Sequence, residues 1–150
     1  MMPNLLVPLD TSASASQVLA QAESLASQLP SSLTLLHVIE PLASYVPVGA
    51  AMDVITTAPP DLDPAQLENA KARLEQLARP LCSKGLEITC KAVLGLAVDE
   101  ILDQAKIHGS TYIMLGSHGH GALYHLFSGS VVTGVLKHSA CPVIVVPIRG

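Results

Sequence analysis

The feature that most constrains the fold is an alternation along the chain of short apolar runs with longer segments of helical periodicity. The largely apolar runs lie at residues 5–7, 33–39, 112–115 and 143–146 and have the length of buried strands. Between them, hydrophobic residues recur every three or four positions, which is typical of amphipathic helices. Strands that alternate with helices form βαβ units with parallel strands and right-handed crossovers. The pattern therefore predicts an α/β fold.

A fifth candidate strand, residues 87–93, differs because polar and apolar residues alternate along it. Such alternation indicates a half-exposed strand at a sheet edge, while the apolar strands take the central positions. The strand order 3-2-1-4-5 satisfies this requirement. One hundred and fifty residues, 49% of them hydrophobic, supply one core. We therefore predict one domain over residues 1–150: a three-layer, Rossmann-like sandwich with a five-stranded parallel sheet and about four helices.

One connection, residues 41–62, shows neither the pattern of a buried strand nor the periodicity of an amphipathic helix. It is punctuated by Pro41, Pro47, Gly49, Pro59 and Pro60. A connection of this length in a compact domain is typical of a lid or a variable loop. A helix start follows at once, since Asp63 can cap a helix and Pro64 suits its first position.

Glycine and polar residues fill the connection after the fourth strand, which reads Gly-Ser-His-Gly-His-Gly from Gly116 to Gly121 and ends at Gly129 and Ser130. Ser128 is placed to cap the helix that follows. Glycines let backbone N–H groups approach a ligand, and a helix N-terminus adds unpaired donors. This layout suits a phosphate group. It has neither the Gly-Lys-Ser/Thr ending of a P-loop nor the Gly-x-Gly-x-x-Gly spacing of dinucleotide sites.

Three blocks of sequence extend this pattern. They are Val7-Pro8-Leu9-Asp10, Gly116-x2-Gly119-x9-Gly129-Ser130, and Cys141-Pro142-Val143-Ile144-Val145-Val146-Pro147. In this order they resemble the ATP-binding branch of the universal stress protein family, and the resemblance spans essentially the whole chain. It implies the strand order 3-2-1-4-5 and an adenine nucleotide alpha-hydrolase-like fold. It also implies a stress or signalling module that binds ATP (or ADP or AMP) with Mg²⁺.

Topology and resemblance place the site at the carboxyl ends of strands one and four. In the predicted order these strands are neighbours and the chain reverses direction between them, which is where open α/β sheets bind ligands. Asp10 follows strand one, and its carboxylate can accept hydrogen bonds from a ribose. Taken alone, Asp10 would sooner be interpreted as part of an Asx-turn or a helix cap.

The resemblance implies the remaining contacts. The base would meet the backbone at Pro8 and Val38. The phosphates would meet N–H or hydroxyl donors of the glycine-rich segment. Family members often carry arginine where this chain has His118, so the charge facing a triphosphate is smaller here. The segment's candidate residues are Gly116, Ser117, His118, Gly119, His120, Gly121, Gly129, Ser130 and Val131.

The histidines and serines of the loop raise two other chemistries. His118, His120 and His125 lie close together, but the cysteine or carboxylate partners of a stable zinc site are not nearby in sequence. Ser117 and Ser130 have histidines nearby but no Gly-x-Ser-x-Gly elbow. We therefore predict no catalytic residue and no protein-held metal.

The rival hypothesis is an enzyme of the same layered fold, such as a phosphatase, a nucleotidyl transferase, a flavoprotein or a slow ATPase. Phosphoryl transfer calls for a carboxylate pair at the strand ends, and the candidates are Asp10 and, distantly, Glu40. A scaffold that has lost its ligand is a second rival, against which the intact glycines argue. The sequence favours binding over catalysis and leaves slow ATP hydrolysis open.

Composition restricts partners and compartment. The formal net charge of −4 and the lack of a basic cluster argue against nucleic acid. No apolar run reaches the ~18 residues that a membrane span needs. Three widely spaced cysteines, Cys82, Cys90 and Cys141, show no zinc or redox spacing. We interpret them as reduced thiols of a cytoplasmic protein.

The last strand, Val143–Val146, is apolar on both faces yet is predicted at a sheet edge. Open apolar edges promote aggregation unless they are charged, kinked or covered. The opposite edge is protected by Glu87 and Lys91. We expect the last strand to be covered by the same strand of a second copy, antiparallel across a two-fold axis and bracketed by Pro142 and Pro147. The resemblance implies the same homodimer.

Overall fold

The computed structural model describes residues 2–10, 12–41, 63–117 and 130–148, and within these ranges five strands alternate with four helices. The predicted loop therefore lies outside the described residues, apart from Pro41. The strands are β1 (Asn4–Pro8), β2 (Ser32–Ile39), β3 (Ile88–Leu94), β4 (Tyr112–Gly116) and β5 (Val143–Val146). The helices are α1 (Ala15–Gln28), α2 (Pro64–Ser83), α3 (Ala97–Ile107) and α4 (Ser130–His138).

All five strands are parallel, and their order is β3-β2-β1-β4-β5. This confirms the predicted α/β fold and strand order. The amphipathic strand β3 lies at one edge, where its side chains alternate between half-buried and exposed over most of its length. The apolar strand β5 lies at the other edge.

Two hydrophobic clusters cover the two faces of the sheet, which makes the molecule a three-layer sandwich. Leu5 and Leu35 face α1 and α2, whereas Leu6 and Leu36 face α3 and α4. Neighbouring residues of a strand point to opposite faces, so a strand that is apolar throughout serves both clusters. Leu5, Leu6, Leu35 and Leu36 are all at most 1% exposed. Burial of this kind stabilises a fold by about 1.5–3 kcal/mol for each leucine.

Helix ends follow the local sequence. The carboxylate of Asp63 accepts a hydrogen bond from the Ala65 N–H at 2.9 Å, which confirms the predicted cap of α2. Gly85 and Gly109 follow α2 and α3 with φ of +90° and +58°. The N–H of Leu86 then donates to the Leu81 carbonyl, closing a Schellman turn. Both glycines are needed because L side chains rarely adopt positive φ.

Three residues depart from the simple pattern of buried apolar and exposed polar side chains. Leu29 and Leu136 are 38% and 54% exposed. Leu29 follows the last residue of α1 with an extended backbone, and Leu136 lies beside the buried stripe that Val131 and Val135 form. His37 is half-buried within β2, and its Nδ1 lies 2.8 Å from the Leu9 carbonyl.

Among the described residues, no helix combines the length and apolarity that crossing a membrane requires.

Candidate functional site

A crevice opens between β1 and β4 at the carboxyl end of the sheet. These strands pair only at Leu5 and Leu6, whereas β4 continues to Gly116 alongside β5. The Asn4 carbonyl faces β4 and the Leu9 N–H faces β2, so the backbone of Pro8 faces β4. Proline has no N–H to continue that ladder, which is why the strands part here. The crevice is lined by Pro8, Leu9, Asp10, Ser14, Ala15, Val18, Leu115, Gly116, Val131 and Val132.

Asp10 lies at the mouth of this crevice, in the loop between β1 and α1. Its Oδ1 accepts hydrogen bonds from the Ser12 N–H at 3.1 Å, the Ser12 hydroxyl at 2.5 Å and the Ser14 hydroxyl at 3.4 Å. The first of these is the Asx-turn that was the alternative interpretation of Asp10. All three bonds fall on Oδ1. The turn therefore holds the carboxylate in place through Oδ1, and among the described residues Oδ2 has no hydrogen-bond donor.

Val38 directs its backbone groups towards β1. The Leu36 carbonyl faces β1, where it accepts from Leu9, and the Ile39 carbonyl faces β3, where it accepts from Gly95. Backbone groups of a strand alternate in direction, so the N–H and C=O of Val38 face the β1 side. They lie beyond Pro8, where β1 has ended and its pairing with β2 stops. Val38 itself is not among the residues that line the crevice.

Gly116 and Ser117 end β4 at the floor of the crevice. A Cβ at Gly116 would lie 3.0 Å from Val18 Cγ2 and 3.3 Å from Ile148 Cγ1, so a side chain here would require these neighbours to shift by a few tenths of an ångström. The Ser117 N–H donates to the Val146 carbonyl, and its hydroxyl oxygen accepts from the Ile148 N–H. The N–H of Ser117 is therefore used by the sheet. Among the described residues, the hydroxyl proton of Ser117 has no acceptor.

The first turn of α4 closes the far side of the crevice. The helix begins at Ser130, and Val131 is 5% exposed. The first N–H groups of a helix have no intrahelical acceptor, so they form a set of donors at its N-terminus. His118, Gly119, His120, Gly121 and Gly129 lie outside the described residues, as does the predicted cap Ser128.

Glu40, the distant second carboxylate of the enzyme hypothesis, is used elsewhere. Its Oε1 accepts a 2.9 Å hydrogen bond from the Ala97 N–H, at the first residue of α3. A carboxylate at a helix N-terminus satisfies an orphan donor and the helix dipole. Glu40 thus caps α3 instead of pairing with Asp10. In the described ranges, no group of three or more histidine, cysteine or carboxylate side chains is arranged to hold a metal ion.

Sequence reasoning missed Ser12 and Ser14, which fix the Asp10 carboxylate. The signal was present, because a serine two residues after an aspartate is typical of an Asx-turn. It also missed the packing role of Gly116. That role follows from contacts with α1 and with Ile148, which are distant in sequence.

Comparison with known proteins gives one consistent family. The sequence model described as the universal stress protein family matches residues 1–147. Universal stress protein A homolog 2 of Coxiella burnetii is 35% identical over 130 residues, covering 87% of this chain and 84% of its own length.

Solved structures share the fold over nearly the full chain. Protein MJ0577 of Methanocaldococcus jannaschii superposes with a TM-score of 0.77 at 28% identity, covering 100% of this chain and 99% of its own. A universal stress protein in complex with cAMP gives 0.67 at 18% identity, with 97% of both chains covered. The universal stress protein from Archaeoglobus fulgidus in complex with dAMP gives 0.65 at 20% identity, again with 97% of both covered.

Proposed function

The chain belongs to the universal stress protein family, and from that premise we propose that it binds an adenine nucleotide, ATP with Mg²⁺, in the crevice between β1 and β4. In this proposal it acts as a cytoplasmic, dimeric regulatory module of the stress response. The bound nucleotide is the signal, and its hydrolysis is slow or absent.

The observation that carries the proposal is that Asp10 and the first turn of α4 line the same crevice. The Val38 backbone offers a donor and an acceptor suited to a base, Asp10 offers a positioned carboxylate oxygen, and α4 offers the donors of its N-terminus. Two proteins of this fold are solved with cAMP and dAMP, which share adenine and a 5′-phosphate but differ in the sugar. The base and the phosphate are the parts for which this crevice is best equipped.

We assign the ligand groups accordingly. Adenine lies against Pro8 and the Val38 backbone, and the ribose donates to Asp10 Oδ2. The phosphates face the segment from Gly116 to Val131, with Ser117 contributing its hydroxyl rather than its N–H. Mg²⁺ prefers phosphate oxygens and water with one or two carboxylates, so it would enter with the nucleotide rather than occupy a site of its own.

The dimer proposal rests on the backbone of β5. Ile113 and Ser117 donate to the carbonyls of Pro142 and Val146, so the even-numbered residues of this segment face β4. The N–H and C=O groups of Val143 and Val145 consequently face away from the sheet. Val145 is also 38% exposed. In our proposal the same strand of a second copy satisfies these groups by antiparallel pairing.

This direction of the backbone refines the expected role of the two prolines. Pro147 faces away from β4, like Val143 and Val145, and has no N–H, so it would end the hydrogen-bond ladder between the two copies. Pro142 faces β4 instead, so its missing N–H does not limit the interface. One proline rather than two would set the length of the pairing.

Denaturing mass spectrometry of the purified protein tests the nucleotide proposal directly. We expect ATP, ADP or AMP in the released small molecules. Calorimetry with ATP, ADP, AMP and GTP on nucleotide-stripped protein then measures the preference for adenine. The absence of co-purified nucleotide together with no detectable heat for any adenine nucleotide would overturn the proposal.

A further inference from the structure

The hydrogen-bond ladder between β1 and β2 stops one step early. In a parallel ladder, the N–H and C=O groups of one residue bond to two residues of the neighbouring strand that are two positions apart. The Leu9 N–H donates to the Leu36 carbonyl at 2.8 Å, so the regular donor to the Leu9 carbonyl is the Val38 N–H. The same register holds at the other end of the pair, where the Ser32 N–H donates to the Pro3 carbonyl. Among the described residues, however, no hydrogen bond joins the Val38 N–H to the Leu9 carbonyl.

The side chain of His37 takes the place of that donor. Its Nδ1 lies 2.8 Å from the Leu9 carbonyl oxygen. A carbonyl oxygen can only accept, so Nδ1 carries a proton and donates it. The side chain of His37 lies on the same face of the sheet as that of Leu35, two positions earlier, which packs against α1 and α2. The imidazole therefore reaches the carbonyl from one face of the sheet, whereas the Val38 N–H would reach it within the sheet.

We propose that His37 is a positioning residue of the nucleotide site, because its imidazole satisfies the Leu9 carbonyl and so keeps the Val38 N–H unpaired. That N–H can then donate to a ring nitrogen of adenine. The inference rests on the proposed function, in which the base meets the backbone of Val38. It adds the reason why that backbone donor is available, since a regular ladder would have used it.

The hydrogen bond from His37 also holds the start of the loop between β1 and α1. The Leu9 carbonyl belongs to the peptide group that joins Leu9 to Asp10, and both residues line the crevice. Leu9 is only 4% exposed, and a buried carbonyl without a donor is costly. Without the imidazole, we therefore expect the Leu9 carbonyl to accept from the Val38 N–H, which extends the ladder by one step and removes the donor from the site.

Nuclear magnetic resonance of the nucleotide-free protein tests the hydrogen-bond pattern itself. In the unmodified protein we expect imidazole nitrogen shifts that show a proton on Nδ1 of His37. We also expect no scalar coupling across a hydrogen bond between the Val38 nitrogen and the Leu9 carbonyl carbon. His37→Leu has a bulky side chain without a donor, and in this variant the coupling should appear. A coupling already present in the unmodified protein, or a proton on Nε2 alone, would overturn the proposal without recourse to any variant.

A matched pair of variants tests the consequence for binding. The side-chain N–H₂ of asparagine lies about where Nδ1 of histidine lies and can donate in its place. We expect His37→Leu to bind ATP roughly 2- to 12-fold more weakly by calorimetry, as the loss of one hydrogen bond predicts, and His37→Asn to stay within about twofold of the unmodified protein. Rescue by His37→Asn separates the donated hydrogen bond from the bulk of the side chain.

Deaza analogues of ATP connect His37 to the base. Each replaces one ring nitrogen of adenine by C–H and so removes one acceptor. One of the 1-, 3- and 7-deaza analogues should bind the unmodified protein roughly 2- to 12-fold more weakly than ATP. His37→Leu should not distinguish that analogue from ATP, because its Val38 N–H is already paired.

The outcomes distinguish this inference from the proposed function. An unmodified protein that binds no adenine nucleotide overturns the proposed function, and the role of His37 in it falls as well. If ATP binds but His37→Leu binds it equally tightly, only the role of His37 is overturned. The same holds if His37→Asn loses as much affinity as His37→Leu, or if His37→Leu still discriminates against the weak deaza analogue.

Discussion

Asp10 is held through one of its two carboxylate oxygens. Oδ1 accepts hydrogen bonds from Ser12 and Ser14, which is a structural role that any aspartate in such a loop would fulfil. Asp10 also lines the crevice between β1 and β4. The Asx-turn is compatible with the ribose contact that we propose, because that contact would use Oδ2.

Removing the Asp10 carboxylate should weaken nucleotide binding. A hydrogen bond to a charged group contributes about 1.5–3 kcal/mol, so we expect Asp10→Ala to bind ATP roughly 10- to 150-fold more weakly by calorimetry. The paired experiment uses 2′,3′-dideoxy-ATP, which lacks both ribose hydroxyls. The unmodified protein should lose a similar factor with this analogue, while Asp10→Ala should not distinguish it from ATP.

Two outcomes would contradict the assignment of Asp10. One is an Asp10→Ala protein that binds ATP within twofold of the unmodified protein. The other is a variant that still prefers ATP over the dideoxy analogue, because the lost affinity would then come from the disrupted turn. The double variant Ser12→Ala/Ser14→Ala removes the two hydroxyl donors to Oδ1 but keeps the Ser12 N–H of the turn, and it should retain the preference for the ribose hydroxyls.

Gly134, in the interior of α4, is explained by contact with another helix. A Cβ at this position would lie 2.8 Å from Val98 Cγ2 of α3. Alanine favours a helix by about 1 kcal/mol over glycine, but overpacking costs about 1–3 kcal/mol. We expect Gly134→Ala to lower the free energy of unfolding by about 1 kcal/mol in urea denaturation.

The matched control for Gly134 is Val98→Ala, which removes the atoms that the new methyl group would meet. In the double variant the two effects should not add, and the loss should be smaller than the sum of the single losses. A Gly134→Ala protein that is more stable than the unmodified protein would show that helix propensity decides at this position.

At the scale of elements, the two edge strands of the sheet differ in how they meet solvent. Strand β3 carries a lysine and other exposed side chains along its length. Strand β5 has no charged residue. The N–H and C=O groups of Val143 and Val145 face outward, so a further strand could pair with this edge. An edge of that kind favours pairing with another strand.

Val145→Pro tests this pairing with little disturbance of the sheet itself. The N–H of Val145 faces away from β4, so proline there removes a donor from the open edge and not from the β4 ladder. We expect light scattering to find a dimer for the unmodified protein at micromolar concentration and a monomer for Val145→Pro. Val145→Ala removes the exposed side chain but keeps the N–H, and it should remain dimeric.

A dimer that persists in Val145→Pro, with its circular dichroism unchanged, would place the interface elsewhere. A monomeric unmodified protein would show that the β5 edge is left open. Leu136 belongs to α4, the helix that contacts β5, and its side chain is 54% exposed. If a dimer forms away from the strand edge, the surface around Leu136 is the next one to alter.

At the scale of the whole molecule, the two carboxylates of the enzyme hypothesis lie apart. Glu40 caps α3, so within the described ranges it does not pair with Asp10. Backbone donors can bind phosphates tightly without activating a water molecule. In our proposal the protein therefore retains the nucleotide with slow turnover or none.

We expect ATP hydrolysis by tag-free protein to stay below about 1 s⁻¹, the lower end of working enzymes. A phosphate-release assay with Mg²⁺ and excess ATP measures the rate, and Asp10→Ala serves as the control for contaminating ATPase. A rate above that value which Asp10→Ala abolishes would favour the enzyme hypothesis over the regulatory one.

The sequence by itself determined the order of the sheet, and it predicted a site at one end of it. Strand order could be inferred because apolar runs must be buried on both faces, whereas the amphipathic strand at residues 87–93 can tolerate an edge. The helix ends could be inferred because Asp63 and Gly109 act on backbone groups a few residues away. These effects are local, or depend only on which face of an element is apolar.

The tertiary structure decided what depends on residues distant in sequence. Gly116 packs closely against Val18 and Ile148, Glu40 caps α3, and the Ser117 N–H bonds to β5. No periodicity encodes such pairings, because they arise from how separate elements meet in space. The sequence identified chemical groups suited to a nucleotide. The fold decided which of them remain free to bind one, since a donor that is already paired is no longer available to a ligand.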